Sequence, residues 1–73
     1  MKYAIHSTGN TTWEPCNATT LAEAKLACTA EYGAGPNGDI LSVAEVYGQG
    51  EHQRFITKAE RPNCPGEKWR ATN

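Results

Sequence analysis

Three cysteines (Cys16, Cys28, Cys64) and two histidines (His6, His52) are the residues of this 73-residue chain whose types suit nucleophilic or metal chemistry. A catalytic thiol needs a base within hydrogen-bond reach and a third group to orient that base. Cys16 or Cys64 with His6 or His52 is the one sketch the chain offers, and no spacing draws these residues together. Cys28 falls within a helical pattern and reads as a buried thiol. There is no C-x-x-C pair, so neither a zinc knuckle nor a redox motif is signalled. Acid–base work on a glycoside would need two carboxyls facing each other in a cleft, whereas the glutamates here are spread along the chain. The glycine-rich stretches "GAGPNG" (33–38) and "GQG" (48–50) have no following Lys-Ser/Thr and open no helix, so they are turns and not phosphate cradles. The expectation is a protein with no catalytic residues, no metal site and no cofactor.

Binding chemistry has more to build on. Arg54, Lys58, Arg61, Lys68 and Arg70 crowd the last twenty residues, interleaved with Phe55 and Trp69. Residues 1–53 carry Lys2 and Lys25 against six acids, a net −4, whereas residues 54–73 carry five bases against Glu60 and Glu67, a net +3. Such a split describes a basic contact surface on an acidic body. Arg54, Lys58, Arg61, Lys68, Trp69 and Arg70 are therefore the expected partner-binding residues. The overall charge of −1 and the lack of an RNP-like aromatic motif count against a protein that grips nucleic acid unaided. A plainer reading remains open, in which Trp69 packs in the core and the bases only solvate the surface.

The length allows one domain. A chain this short buries only about 60% of its unfolded surface, so its core is small. No apolar run approaches the roughly 20 residues that span a bilayer, and "MKYAIHSTGN" lacks the apolar core of a signal peptide. With an odd number of widely spaced cysteines, this points to a reducing, cytoplasmic setting. In that setting the glycosylation patterns at Asn10-Thr11-Thr12 and Asn17-Ala18-Thr19 are coincidental.

The elements that must position the bases follow from periodicity. Tyr3 to Ser7 alternates with period 2 and reads as a strand. Gly9-Asn10 suits a hairpin turn, and Thr11 to Cys16 reads as the returning strand, with Trp13 toward the core and Pro15 placing it at an edge. Thr20-Leu21-Ala22-Glu23 fits a capping box and opens a helix to Tyr32, on which Leu21, Ala24, Cys28 and Tyr32 share a face. Gly33 is the expected left-handed C-terminal cap. Ile40 to Tyr47 and His52 to Ala59 read as a hairpin across Gly48-Gln49-Gly50. Phe55, Thr57 and Ala59 would lie on one face, with Arg54, Ile56 and Lys58 on the other. The prediction is an α+β domain, β-β-α-β-β, with a four-stranded, largely antiparallel sheet and one helix on one face. If Phe55 meets the helix, Arg54 and Lys58 take the open face. Residues 1–61 would form the compact part, and Pro62 and Pro65 would set off 62–73 as a basic segment of the same domain or a partly flexible tail.

The helix start Thr20-Leu21-Ala22-Glu23-Ala24, preceded by a hairpin and followed by a strand, resembles that of small bacteriophage proteins that bind host RNA polymerase. The resemblance covers residues 18–33 and the elements on either side, about half the chain. The strand after the helix departs from the pattern: Ser42-Val43-Ala44-Glu45-Val46-Tyr47 contains no base where such an inhibitor carries basic contacts. A second phage protein of this kind is similar in size. The resemblance implies a monomeric, non-enzymatic regulator in the bacterial cytoplasm that contacts a polymerase subunit and blocks initiation or promotes antitermination, its basic end touching an acidic surface or nearby nucleic acid. Two alternatives stay open: an anti-defence inhibitor of a nuclease or CRISPR effector, working through the acidic region, and a small stand-alone nucleic-acid-binding domain.

Overall fold

A computed structural model describes residues 2–9, 12–33, 38–64 and 66–72. The elements run β1 (Lys2–Ser7), β2 (Glu14–Cys16), α1 (Leu21–Tyr32), β3 (Ile40–Tyr47), a 3-10 turn (Gly50–His52), β4 (Arg54–Pro62) and β5 (Arg70–Ala71). The fold is α+β, with one helix on a wholly antiparallel sheet in the order β2-β1-β3-β4-β5. The sheet has five strands, one more than the four expected, because the chain after Pro62 turns back to lay Arg70 and Ala71 beside Glu60 and Ala59.

Helix α1 begins as its sequence requires. Thr20 takes an extended conformation, and its hydroxyl accepts the Glu23 backbone N–H at 3.2 Å. The reciprocal half of the capping box is replaced: the Glu23 carboxylate accepts the Thr19 hydroxyl at 2.8 Å. At the other end Gly33 is not left-handed (φ −81°), contrary to expectation. Its N–H donates to the Thr29 carbonyl at 2.7 Å, and a Cβ there would lie 2.2 Å from that same oxygen. Glycine is needed at this cap for space and not for handedness.

The buried face of α1 is Ala24 and Cys28, flanked by Leu21 and Tyr32. These small residues let the helix lie close over Tyr3 and Ile5 of β1 and Leu41 and Val43 of β3. Ile5 is the register partner of Val43, so the two strands present one continuous apolar floor. Cys16, Ala18 and Trp69 close its margins. The Cys28 Sγ sits 3.7 Å from the Ser42 carbonyl oxygen and 3.9 Å from that of His6, a thiol held against the sheet backbone.

Strand β4 does not alternate evenly. Val43 pairs with Ala59 but Ala44 pairs with Thr57, leaving Lys58 as an extra residue in a β-bulge. A bulge re-aims the side chains on one side of it. Phe55 and Thr57 consequently share a face with Val46 and Ala44, away from the helix, whereas Ala59 and Arg61 turn to the helix side with Val43 and Leu41. The expected grouping of Phe55, Thr57 and Ala59 is broken at this point. The condition that would have put Arg54 and Lys58 on the open face, Phe55 meeting the helix, is not met: Arg54, opposite Tyr47, lies on the helix-bearing side, and Lys58 reaches Glu45 on that side.

The β3–β4 connection is longer than the expected three residues and spans 48–53, including the 3-10 turn. Gly48 (φ +83°) adopts a conformation open to glycine, and a Cβ would meet the His52 carbonyl oxygen at 2.4 Å. Strand β2 is shorter than expected, three residues long. Asn10 of the expected first turn, most of the 33–39 loop and Pro65 lie outside the described residues. Pro62 does not end β4 early: it is the strand's last residue, paired with Ile40. Asn63 is buried, its N–H donating to the Asp39 carbonyl at 2.8 Å and its amide to the Tyr32 carbonyl at 3.0 Å. Thr72 closes the far end, with its N–H on the Lys58 carbonyl and its hydroxyl on that of Thr57. The described part of 62–72 is thus stitched to the sheet and to the end of the helix.

Candidate functional surfaces

The six predicted contact residues divide between the two faces of the sheet. By alternation alone Arg54 and Lys58 would share a side and Arg61 would oppose them. The bulge at Lys58 brings Arg61 round, so that all three line the helix-bearing side of β4, beyond the helix itself. The strip is roughly 20 Å long, from the rise of an extended strand. It is not purely basic. Lys58 Nζ lies 3.7 Å from Glu45 Oε1, and the Tyr47 hydroxyl donates to the same carboxylate group. That neighbouring carboxylate pushes the Tyr47 phenol above its ordinary pKa.

Trp69 sits at the inner end of this strip. It is half-buried and packs against the helix–sheet core, with the Arg61 guanidinium 5.5 Å from the centre of its ring. Arg61 also donates to the Pro62 carbonyl at 3.3 Å. Trp69 is therefore first a structural anchor, and Arg61 its cover. Arg70 is exposed and pairs with Glu60, which places it on the opposite face, and Lys68 is exposed just before β5. These two are not gathered with the other bases.

A second surface, on the face without the helix, is built by His6, Trp13 and Phe55. Trp13 was expected to point to the core. Instead its ring lies on the far side of the sheet, 5.1 Å from the His6 ring on β1 and stacked on Phe55 of β4 at 5.6 Å with an interplanar angle of 4°. A ring that reaches from β1 to β4 passes over β3 between them. The register pair Ala4 and Ala44 on that face is sealed, at 1% and 0% exposure. Two alanines opposite each other leave the room that an indole fills. No local pattern could have shown this, because the Ala4–Ala44 pairing arises from two strands far apart in sequence.

Beside the stacked rings is a groove of about 340 Å³. Its floor and walls come from Ala4, Val46, Trp13, Phe55 and Pro15, with Lys2, Asn17 and Gln53 at its polar margins. Phe55 keeps 39% of its surface exposed.

The residues singled out for nucleophilic or metal chemistry are dispersed. Cys28 is in the core, Cys16 borders the groove, Cys64 follows β4, and all three are free thiols. Burial pushes the Cys28 thiol above its ordinary pKa, away from the reactive thiolate. Among the described residues no three His, Cys, Asp or Glu side chains come together as a metal site. No described helix is long and apolar enough to cross a membrane. No family model, no curated protein and no solved structure matches the chain.

Proposed function

We propose that this protein is a non-enzymatic binding protein that works by occupying a surface of a larger partner, and that the partner is bacterial RNA polymerase. The observation that carries the reading is the alignment of Arg54, Lys58 and Arg61 on one side of β4 by the bulge, next to Tyr47 and Trp69. Arginine with tyrosine and tryptophan is the composition that dominates binding energy at protein interfaces. A short strip of cations on a protein of net charge −1 matches an acidic patch on another protein better than a long nucleic-acid backbone, which calls for many phosphate contacts. The polymerase itself comes from the resemblance of the 18–33 helix and its flanking strands to phage regulators of that enzyme. Its mode of action would be steric, blocking a promoter-recognition contact or altering the path of the emerging RNA.

The test is capture of polymerase subunits from a bacterial lysate on the immobilised chain, followed by run-off transcription with purified polymerase. Retention of the core subunits and an altered transcript yield are the expected results. Arg54→Glu with Lys58→Glu should abolish both while circular dichroism stays unchanged. Failure to retain polymerase sinks the choice of partner, and full retention by a folded double variant sinks the strip as the contact.

A further inference from the structure

The groove on the helix-free face has features that the basic strip does not share. It is lined by one charged residue, Lys2, and no carboxylate. Among the described residues, the side chains of Lys2, Asn17 and Gln53 make no hydrogen bond or ion pair. Three unengaged polar ends therefore border a trough whose sides are a parallel Trp13–Phe55 stack, Val46 and Pro15. The lining residues come from β2, β1, β3 and β4, so the trough crosses four adjacent strands. At the usual strand spacing this is a length of roughly 14 Å.

From these features we infer that the groove binds an extended, proline-containing peptide segment with an acidic residue at one end. A polyproline-type chain advances about 3.1 Å per residue, so four or five residues fill the trough. Such a chain has no internal hydrogen bonds. Its rings pack on flat aromatic ridges, and its carbonyls take donors from the groove wall. Here the ridge is Trp13 on Phe55 and the donors are the Asn17 and Gln53 amides. The single ammonium of Lys2 fixes the direction of the chain by meeting a carboxylate. A nucleic-acid strand fits less well, because 14 Å of backbone carries several phosphates against one cation, and one face of Phe55 is already taken by Trp13. The inference does not depend on the polymerase reading: the groove and the Arg54–Arg61 strip lie on opposite faces of the sheet.

The experiment is an amide-resolved NMR titration of the intact chain with a blocked hexapeptide of two aspartates followed by four prolines. Saturable shifts confined to Lys2, Asn17, Val46, Gln53, Phe55 and the Trp13 indole are expected. Replacing the aspartates by lysines should weaken binding about tenfold or more, as should Lys2→Glu in the protein, the scale of one lost charge-assisted contact. Leu26→Lys, on the outer side of the helix, should bind as the parent does. The inference is overturned by an absence of shifts, by shifts scattered outside the groove, or by equal binding of the lysine peptide. Adenosine monophosphate shifting the same resonances in place of the peptide would also overturn it.

Discussion

The guanidinium of Arg61 lies over the indole ring of Trp69, 5.5 Å from its centre, and this pair holds the end of the chain to the sheet. Trp69 fills the margin of the core while Arg61 shields its outer face, so the two residues are coupled through one ring. Trp69→Ala should cost about 2–3 kcal/mol, somewhat under the range for a fully buried aromatic. Arg61→Ala should cost about 1 kcal/mol, mostly lost ring contact and covered stem. In urea unfolding the double variant should cost less than the sum of the two, because each single change already breaks the pair. Additive costs would mean that the contact is incidental.

Deleting Lys58 should be more damaging than replacing it. The extra residue lets Phe55 stack on Trp13 while Ala59 and Arg61 face the helix side. Without it the strand alternates evenly and one of these two sets must turn over. A loss of about 2 kcal/mol or more is expected, as for other disruptions of a specified core. Near-ultraviolet circular dichroism should lose the signal of the stacked rings or of Trp69. Lys58→Ala, which keeps the bulge and removes only a partly exposed ion pair, should shift stability by less than about 1 kcal/mol.

The helix start gives a local test. Thr20→Ala leaves the Glu23 backbone N–H without its acceptor and should cost about 1 kcal/mol. Thr20→Ser should restore most of it. For a domain of this size that is a fall of roughly 4–8 °C in Tm, read by thermal unfolding. Leu26, 72% exposed on the outer side of the same helix, should accept Lys with a change within about 0.5 kcal/mol.

Alkaline pH should weaken the fold. Burial raises the Cys28 thiol above its ordinary 9.0, and the Glu45 carboxylate raises the Tyr47 phenol above 10.0. In the unfolded chain both groups lose their protons at the ordinary values, while the folded protein still holds them. The unfolded state then binds fewer protons, so stability falls with rising pH. The contribution is complete below about pH 9 and is lost as pH climbs through the folded values. Urea unfolding in reducing buffer at pH 8 and at pH 10 should show the drop, and Cys28→Ala should remove the part that begins near 9. An unchanged slope in that variant would exclude Cys28 as its source.

Local signals in the sequence carried the helix, its N-terminal cap, its small buried face and the succession of β3 and β4, though neither the form of the Gly33 cap nor the length of the β3–β4 connection. Thr20 and Glu23 at a separation of three, and Leu21, Ala24, Cys28 and Tyr32 at helical spacing, need only neighbouring residues to be understood. The side of the sheet on which each base lies was not legible. It turns on the bulge at Lys58, where no glycine or other local mark stands, and which lets Ala59 face the helix side while Phe55 faces away from it. The stack of Trp13 on Phe55 depends on the Ala4–Ala44 pairing, set by strands on either side of the helix. β5 was hidden for a related reason: two residues have no periodicity, and what holds them is their pairing with Ala59 and Glu60 and the bonds of Thr72 to β4.

The strand order has a consequence for how the molecule is made. β1 lies inside the sheet, yet its partner β3 follows it by more than thirty residues, with Ile5 paired to Val43. During synthesis β1 has only the three-residue β2 to lean on until β3 has left the ribosome. Over that interval Tyr3 and Ile5 lack Leu41 and Val43, the other half of the apolar floor, and late pairings of this kind are slow and prone to aggregate. A chain cut before residue 40 should therefore stay unfolded and aggregate, whereas one that runs to the end of β5 should refold from urea, read by circular dichroism and sedimentation.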